Sequence, residues 1–336
     1  MLGYQIGDNI RDMKAWQVHA WGEPDTMRLE DVPVPVPGAG QVLIRNRAVS
    51  LNFFDILQVQ GKYQVKPPFP FSPGAEVAGT VEAVGAGVTH VRAGDAVVST
   101  PMVNGLAEFS CVKGHTVYPI ARGMSFAEGA ALPIVYQTSF FALRDRGNVQ
   151  PGEWLVVHAG ASGVGMAAIQ LGRAWGARVI ATAGSEEKLA FARAQGAEIA
   201  LSYNDAAWVD QVKQITGQGA DVIYDPVGGD VFDLSSKCIA PFGRLLVVGF
   251  ASGRIPSIAA NRILLKNMSV VGVLWGNHVM AHPEYAAATH AELCRMYEAG
   301  QIRPVVARSY ALEDAVAGMA DLASRRVMGK VVVEVP

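Results

Sequence analysis

One short stretch restricts the fold of this chain more than any other: WLVVHAGASGVGMAAIQLG at residues 154–172. Its apolar, β-branched start predicts a strand, and the segment after the glycines has the periodicity of a helix. A strand that enters a glycine-rich turn and opens a helix is typical of a dinucleotide-binding βαβ unit. Glycines let the backbone approach a pyrophosphate, and the N–H groups at the helix start bind its charge.

The turn departs from the strict Gly-x-Gly-x-x-Gly pattern at one position. The second glycine of that register would stand at 162, where the chain has a serine. Serine is small and its hydroxyl can donate a hydrogen bond, so the motif is weakened without being cancelled. The alternative is an ordinary tight turn between a strand and a helix. The candidate contacts to the cofactor phosphates are Gly160, Ala161, Ser162, Gly163 and Val164.

The end of the next predicted strand indicates which dinucleotide binds. NAD sites usually carry Asp or Glu about 20 residues after the motif, where the carboxylate holds the ribose 2′-hydroxyl. Here the chain has Ala183, Gly184 and Ser185, followed by Lys188 one helical turn later. A small neutral strand end with hydroxyl, N–H and ammonium donors suits a 2′-phosphate. The sequence therefore predicts NADPH, although Lys188 alone also fits a solvated helix lysine.

Two kinds of pattern follow one another along the chain. Residues 14–118 contain short alternating strands separated by Pro and Gly, which predicts an all-β region, a small barrel. Helical segments interrupted at Pro133 follow, and apolar strands then alternate with helices to about residue 280. This alternation predicts a doubly wound parallel sheet, so the fold class is α/β. A length of 336 residues suits two domains.

Composition narrows the class of protein. A net charge of −2 gives no general attraction to nucleic acid or anionic membranes, and no apolar run is long enough for a membrane helix. Three widely spaced cysteines argue against a disulfide framework. Residues 1–12 lack the features of a signal peptide and are interpreted as an N-terminal extension. We therefore expect a cytoplasmic enzyme.

Several motifs in order carry a resemblance to a known family: SLNFFDILQVQGKY, PFSPGAEVAGTVEAVGAGV, AALPIVYQTSFFAL, DVIYDPVGG, GRLLVVG and GKVVV. With the glycine turn, they resemble the medium-chain dehydrogenase/reductase superfamily, and most closely its zinc-free NADPH:quinone oxidoreductase branch, which is zeta-crystallin-like. The resemblance implies a GroES-like β-barrel catalytic domain made of residues 13–124 and 290–336. It also implies a Rossmann domain at 125–289, with the active cleft between the two domains.

The resemblance also implies that no catalytic zinc binds. Zinc-dependent relatives hold the metal with Cys, His and Cys. Asn52 stands in place of the first cysteine, Ala75 in place of the histidine, and Leu132–Ile134 offers no third ligand. Cys111 is the only cysteine between residues 85 and 115, so a four-cysteine structural site cannot form there. The remaining chemistry is hydride transfer to acceptors that need no Lewis acid, such as quinones and enones.

Site residues also follow from the resemblance. Asn52 and Tyr63 are implied to face the nicotinamide and the substrate. Asn52 would bond either a cofactor hydroxyl or the substrate carbonyl, and Tyr63 would stack on the substrate or donate its proton. Asp55 is expected to be structural. The other implied cofactor contacts are Thr138 at the entry to the second domain, Val248, Gly249 and Phe250 at a strand end, and Tyr203, Arg325 and Lys330 around the adenosine phosphate.

Three functions remain open at this point. The first is NADPH-dependent reduction of quinones or α,β-unsaturated carbonyl compounds. The second is an enoyl-thioester reductase. The sequence shows no evident basic patch for a CoA phosphate, and the residues that could contribute one are Lys62, Lys66, Arg262 and Lys266. The third is a cofactor-binding redox sensor or structural protein without turnover.

The expected partners are a small-molecule substrate and a second copy of the chain. The apolar strand MSVVGVLW at 268–275 would extend the sheet across a two-fold axis in a homodimer, although a buried last strand within one subunit explains it as well.

Overall fold

The computed structural model describes residues 11–336, so most of the predicted N-terminal extension lies outside the described residues. Within this range the chain forms fifteen strands and eleven α-helices. The strands are β1 (Asp12–Gln17), β2 (Arg28–Pro33), β3 (Gln41–Leu51), β4 (Glu76–Val84), β5 (Ala96–Ser99), β6 (Phe109–Lys113), β7 (Val117–Pro119), β8 (Trp154–Val157), β9 (Arg178–Ala183), β10 (Ile199–Ser202), β11 (Ala220–Asp225), β12 (Ile239–Val247), β13 (Ser269–Gly272), β14 (Val306–Ala311) and β15 (Lys330–Glu334).

The helices vary from two turns to more than four. They are α1 (Phe53–Val59), α2 (Phe126–Ala131), α3 (Pro133–Phe140), α4 (Gly163–Ala174), α5 (Glu186–Ala194), α6 (Trp208–Thr216), α7 (Gly229–Cys238), α8 (Ala260–Lys266), α9 (Trp275–Ala281), α10 (Pro283–Glu298) and α11 (Ala315–Ala323). A π-helical segment, Phe141–Arg146, continues α3. None of the helices in residues 11–336 is both long and apolar enough to cross a membrane.

The chain divides into two compact units. The first contains residues 11–133, 306–326 and 330–336 of the described chain, and the second contains 134–305 and 327–329. The bounds predicted from the sequence follow the same order along the chain but assign part of α10 to the catalytic domain. Those bounds stay a prediction.

The first unit is built on a seven-stranded sheet. Its path is β14-β15-β3-β4-β5-β7, with β6 paired to β3, and β1 and β2 form a separate hairpin-like pair. The C-terminal strand β15 lies antiparallel to β3, with Val331 opposite Leu51. Strand β15, from the C-terminal part of the chain, thus joins the same sheet as β3 to β7. The predicted GroES-like domain is confirmed, but the region predicted to be all-β also contains the helix α1 (Phe53–Val59).

The second unit has a six-stranded parallel sheet in the order β10-β9-β8-β11-β12-β13. Counted from β8, this is the 3-2-1-4-5-6 order of a Rossmann fold. The central strand β8 is buried along its whole length, as parallel strands covered by helices on both faces must be. The order reverses at β8, so the carboxyl end of β8 lies at the switch point where dinucleotides bind. The predicted doubly wound sheet is confirmed.

Candidate active site

The glycine-rich turn follows β8 and starts α4, as the sequence predicts. Ser162 is the N-cap of α4, and its Oγ accepts the Gly165 N–H at 3.1 Å while donating to the Ala159 carbonyl at 2.8 Å. The serine that interrupts the glycine pattern therefore stabilises the helix start, and its proton is already donated within the turn. The other N–H groups of the first turn have no acceptor within the helix. They are the candidate donors to a pyrophosphate.

The third glycine of the motif is required by close packing. A Cβ at Gly165 would lie 2.2 Å from the carbonyl oxygen of Ala159, well inside any permitted contact. The turn is also tied to the segment 327–329 of the same unit, because the Gly329 N–H donates to the Ala161 carbonyl at 2.8 Å. Helix α4 therefore starts in direct contact with the end of β8, the geometry that a dinucleotide motif needs.

Two neighbouring strand ends bring together the residues predicted to hold the adenosine phosphate. Gly184 follows β9 and Tyr203 follows β10, and a Cβ at Gly184 would lie 2.8 Å from the Tyr203 hydroxyl oxygen. Ser185 is the N-cap of α5, where its Oγ accepts the Lys188 N–H at 3.4 Å. The structure thus places these four residues at one edge of the sheet, but their contact with a phosphate stays a prediction.

One carboxylate next to this strand end forms an ion pair within its own helix. Glu186 begins α5, and its Oε1 lies 2.8 Å from Nη1 of Arg193 on the same helix. The ion pair holds this carboxylate along the helix flank. The strand end at Ala183–Ser185 is neutral, but Glu187 is exposed in the same first turn of α5, so the predicted preference for a phosphate stays a prediction.

The residues after β12 lie beside the end of β11. The Val248 N–H donates to the Asp225 carbonyl at 2.9 Å, and Gly249 follows it. The Phe250 side chain is 42% exposed, and its ring lies over Gly228, where a Cβ would be 3.0 Å from Cδ1. The predicted cofactor contact of Phe250 stays a prediction.

Asp225, at the end of β11, supports the turn beside Phe250, and the sequence analysis did not identify it. Its carboxylate is buried and its Oδ1 accepts the N–H groups of Val227 and Gly228 at 2.7 and 3.0 Å. These bonds fix the turn that Phe250 covers. The signal in the sequence is an acidic residue ending an apolar strand just before a Pro-Val-Gly-Gly turn.

His158, at the end of β8, is a satisfied core residue. Its two ring nitrogens lie 2.8 Å from Thr182 Oγ1 and 2.7 Å from Ser235 Oγ. The Ser235 hydroxyl donates to a backbone carbonyl, so it accepts from the imidazole Nε2–H. Burial lowers the pKa of His158, which the charge of Asp225 opposes, and the ring is neutral at physiological pH.

Helix α3 connects to the cofactor turn. Ser139 donates to the Val164 carbonyl at 3.1 Å and lies 3.0 Å from the Tyr224 hydroxyl. The half-buried Thr138 comes directly before it. The predicted cofactor contact of Thr138 stays a prediction.

The first unit holds a buried polar cluster around Asn52, which is the N-cap of α1. The Asn52 Nδ2–H donates to Glu76 Oε1 at 2.9 Å, and its Oδ1 accepts from Lys330 Nζ at 2.6 Å. The Lys330 ammonium also donates to Glu76 Oε1 at 2.7 Å and to the Leu51 carbonyl at 3.2 Å. Two strand ends and a helix start thus meet through one amide, one carboxylate and one ammonium, which we call the Asn52 cluster.

The predicted role of Lys330 at the adenosine phosphate is wrong. The residue is 3% exposed and its ammonium donates three hydrogen bonds inside the first unit. An ammonium has three donors, so none remains for a phosphate. Lys330 does lie at the start of the last strand, as predicted, but there its ammonium is taken up by Glu76. Arg325, the other predicted phosphate contact in this part of the chain, is exposed just after α11, and its role stays a prediction.

Asp55 lies beside the cluster. Its Oδ2 accepts the Asn52 backbone N–H at 2.7 Å, which closes the first turn of α1 and agrees with the expected structural role. Burial raises the pKa of Asp55 to about 7, although the bond from Asn52 and the charge of Lys330 oppose the rise. The buried carboxyl therefore titrates near neutral pH.

Tyr63 follows α1 and stacks on Phe54, with ring centroids 5.2 Å apart. Burial and the charge of Asp55 raise the pKa of its hydroxyl. The phenol is therefore a hydrogen-bond donor at physiological pH and a weaker acid than a free tyrosine. Its catalytic role stays a prediction.

A zinc ion does not fit the residues of the Asn52 cluster. The position that a metal cation would share with Glu76 and residue 52 is next to the Lys330 ammonium, which bonds both side chains. Asn52 supplies a neutral amide in place of a thiolate, and Ala75 has no donor atom. Within residues 11–336, no three His, Cys, Asp or Glu side chains are grouped as metal ligands.

Comparisons with known proteins agree with this architecture. Residues 38–137 match the family described as alcohol dehydrogenase GroES-like domain, and residues 163–291 match the family described as zinc-binding dehydrogenase. A quinone oxidoreductase-like protein 2 homolog from Nematostella vectensis is 38% identical over 300 residues, which cover 88% of this chain and 82% of that protein.

Two solved structures are also similar to the chain. A mycobacterial protein complexed with NADPH has a TM-score of 0.89 at 32% identity, and covers 96% of this chain and 99% of its own. Escherichia coli quinone oxidoreductase complexed with NADPH has a TM-score of 0.89 at 28% identity, with the same coverage. The fold and site define a dinucleotide-binding oxidoreductase. The chain belongs to the medium-chain dehydrogenase/reductase superfamily, as a member of its quinone oxidoreductase family.

Proposed function

We propose that the chain is an NADPH-dependent, zinc-independent reductase of quinones or α,β-unsaturated carbonyl compounds. The observation that carries the proposal is the Lys330–Glu76 ion pair, since it occupies the place next to residue 52 where a Lewis acid would act. Without a metal to polarise an alcohol or a simple carbonyl, the acceptor must be electron-poor by itself. Quinones, enones and enals meet that condition.

The cofactor is NADPH, which both solved relatives hold. In this chain the first turn of α4 would bind the pyrophosphate, and Ser185, Lys188 and Tyr203 would bind the 2′-phosphate. The backbone after β12, at Val248 and Gly249, would meet the nicotinamide amide. NADPH supplies the hydride, and the protein's own groups bind the acceptor, orient it and exclude water.

Asn52 and Tyr63 are the side chains of the first unit that we assign to the acceptor. Asn52 is 7% exposed and has a side-chain amide, and Tyr63 has an aromatic face and a protonated hydroxyl. The raised pKa makes Tyr63 a poor proton source, so water delivers the final proton and Tyr63 stacks on the acceptor.

An enoyl-thioester reductase is the second candidate, and one observation favours it. A cavity of about 420 Å³ between α7 and α8 is lined by three basic residues, Lys237, Arg254 and Arg262. Arg254 is paired with Asp230 and Asp233, whereas the Arg262 guanidinium donates to the Ser236 hydroxyl at 2.8 Å. Lys266 does not face this cavity with a free ammonium, because its Nζ donates to the carbonyls of Lys237 and Ile239. Of the residues named as candidates for a CoA phosphate, Arg262 is therefore the one that lines this cavity.

We also assign a homodimer to the edge of the parallel sheet. Strand β13 is the last strand of the sheet, so one side of its backbone has no neighbouring strand within the described chain. Large apolar side chains are exposed close to it in sequence, at Leu264, Leu265 and Leu274. An exposed apolar edge is a site for pairing with a second copy. The location in the cytoplasm stays a prediction.

One experiment tests these assignments together. Purified protein is mixed with NADPH or NADH and with a panel of quinones, enones, enals and enoyl-CoA esters, and dinucleotide oxidation is followed by absorbance. We expect turnover of quinones or enones with NADPH. Turnover of enoyl-CoA alone would favour the second candidate, and tight NADPH binding without any turnover would favour the redox sensor or structural protein. Stoichiometric zinc in the purified protein would contradict the zinc-independent assignment.

A further inference from the structure

The residues of the Asn52 cluster and its neighbour Asp55 differ in how deeply they are buried. Glu76 and Asp55 are fully buried and Lys330 is 3% exposed, whereas Asn52 retains 7% of its surface. Of the three side chains that bond one another, the neutral Asn52 belongs to the residue with the greatest exposure, and the two charged ones are more deeply buried. The ion pair itself is shielded from a ligand, so its influence on a ligand passes through Asn52.

Both ends of the Asn52 amide are held. Lys330 Nζ lies 2.6 Å from Oδ1, and Glu76 Oε1 lies 2.9 Å from Nδ2. Because the ammonium donates only and the carboxylate accepts only, a flipped amide would put like groups against each other at both contacts. The two charges therefore select one orientation of the amide.

The selected orientation decides what Asn52 offers to a ligand. An amide nitrogen carries two protons, and Glu76 takes one of them. The Oδ1 atom is engaged by a short, charge-assisted bond to the ammonium, which makes it a poor acceptor for a further donor. What remains to a ligand is the second Nδ2–H, a donor of fixed direction.

We propose that Lys330 is a positioning residue that, together with Glu76, holds the Asn52 amide so that its second Nδ2–H donates to the carbonyl oxygen of the bound acceptor. The inference rests on the proposed function. A C–H bond of the reduced nicotinamide breaks, and the hydride forms a C–H bond with the electron-poor β-carbon of the acceptor. The carbon–carbon π pair then becomes the bond between the α-carbon and the carbonyl carbon, and the carbonyl π pair moves to oxygen as an enolate. NADPH is oxidised to NADP⁺, and water protonates the enolate carbon. A donor that is already oriented toward that oxygen stabilises the developing charge without reorganisation.

A single Lys330 substitution would leave the Glu76 charge buried without its counter-ion, and the loss of activity could then reflect unfolding alone. The informative variant is Lys330→Met with Glu76→Gln, which removes both charges and keeps side chains of similar size. The amide that Glu76→Gln introduces can bond Asn52 in either orientation, so the selection of one orientation is lost. Lys113→Met, an exposed lysine on β6, is the matched control.

The proposal predicts that stability and activity separate in the double variant. We expect its thermal midpoint to stay near that of the wild type, while kcat/KM for the acceptor falls at least about tenfold, as for loss of an oriented oxyanion donor. KM for NADPH should not change, and the Lys113→Met control should retain full activity. Adding Asn52→Ala to the double variant should cause little further loss, because both changes remove the same donor. The proposal would be overturned if the double variant had both the stability and the kcat/KM of the wild type. It would also be overturned if Asn52→Ala caused a further loss that multiplied with that of the double variant.

A second measurement does not depend on turnover. Selective ¹⁵N labelling of asparagine reports the side-chain NH₂ of Asn52, assigned by its disappearance in Asn52→Ala. We expect two well-separated, slowly exchanging proton signals in the wild type, and averaged or fast-exchanging signals in the double variant. Unchanged signals in the double variant would refute the positioning role. If the wild type binds NADPH but reduces no acceptor, the proposed function fails, and the NMR result still decides whether Lys330 and Glu76 orient the amide.

Discussion

The Lys330 ammonium lies 2.7 Å from the Glu76 carboxylate although 254 residues separate them in the sequence, and both side chains are buried. The pair is the centre of the first unit's polar cluster. Removing one partner alone leaves the other charge unpaired in the interior, which costs about 3–5 kcal/mol of stability. The contact therefore ties β15 to the start of β4, and Asn52 at the start of α1 bonds both partners.

The raised pKa of Asp55 predicts a pH-dependent stability. Its carboxyl has a pKa of about 7 in the folded chain and about 3.9 when unfolded, so between these values the folded state binds more protons. Stability due to this group is therefore complete below about pH 4 and is lost as the pH rises to about 7. Asp55→Asn keeps an oxygen that accepts the Asn52 N–H and removes this loss.

We expect Asp55→Asn to be more stable than the wild type at pH 8 by roughly 1–4 kcal/mol, and the difference to shrink toward pH 4. Urea unfolding at several pH values measures it, with Asp25→Asn, an exposed aspartate, as the control. A constant difference between the two proteins from pH 4 to pH 8 would show that Asp55 does not titrate in this range.

Gly165→Ala tests the packing of the cofactor turn. The added Cβ would meet the Ala159 carbonyl oxygen at 2.2 Å, so the start of α4 must move away from the end of β8. We expect NADPH affinity to fall at least about tenfold and stability to fall by about 1–3 kcal/mol. Fluorescence titration with NADPH measures the affinity. Gly276→Ala in α9, where a Cβ meets nothing within 4 Å, should leave it unchanged.

Lys188→Ala tests cofactor choice. If the ammonium binds the 2′-phosphate, its loss should raise KM for NADPH about tenfold, the value of one charge-assisted bond, and leave KM for NADH unchanged. Steady-state kinetics with both dinucleotides gives the ratio. Lys213→Ala on α6, whose ammonium pairs with Asp210 at 3.1 Å, is the control. An equal change for NADPH and NADH would place Lys188 away from the phosphate.

Tyr63→Phe tests the source of the proton. The variant keeps the ring that stacks on Phe54 and removes only the hydroxyl, whose raised pKa makes it a poor acid. With water as the proton source, kcat should fall by less than about tenfold, compared with the 10²–10⁴-fold of a lost general acid. Single-turnover kinetics with an enone measures the step. A loss beyond about a hundredfold would instead make Tyr63 the proton donor.

The exposed leucines that precede β13 in the sequence provide a test of the dimer. Leu264 and Leu265 are 74% and 79% exposed, and charges there would have to be buried by a second copy. We expect the wild type to sediment as a dimer and Leu264→Glu/Leu265→Glu as a monomer. Val36→Glu, at a site in the first unit that is 67% exposed, should not change the mass. A monomeric wild type would refute the assignment.

Local patterns predicted much of the fold and part of the site. The strand, turn and helix at 154–172 fold as the sequence indicates, because apolar periodicity and glycine placement act over a few residues. The same local reasoning missed Glu76 and misassigned Lys330. A signal was present, since each is a charged residue in an apolar strand, and a buried charge needs a partner. Which partner it finds depends on strand pairing, and the sequence pattern alone does not specify that pairing.

The sequence by itself determined the two kinds of unit, the cofactor turn and the neutral end of β9, because each rests on short-range propensity and periodicity. Only the tertiary structure decided the chemistry around Asn52. The antiparallel register of β15 on β3, with Val331 opposite Leu51, brings Lys330 next to Asn52. Val331, Val332 and Val333 are all fully buried, so the side chains on both faces of β15 pack against neighbouring elements, and this packing places the strand on β3. The physical reason is that the partner of a buried charge depends on which strands pair, whereas the conformation of a turn depends on the residues within it.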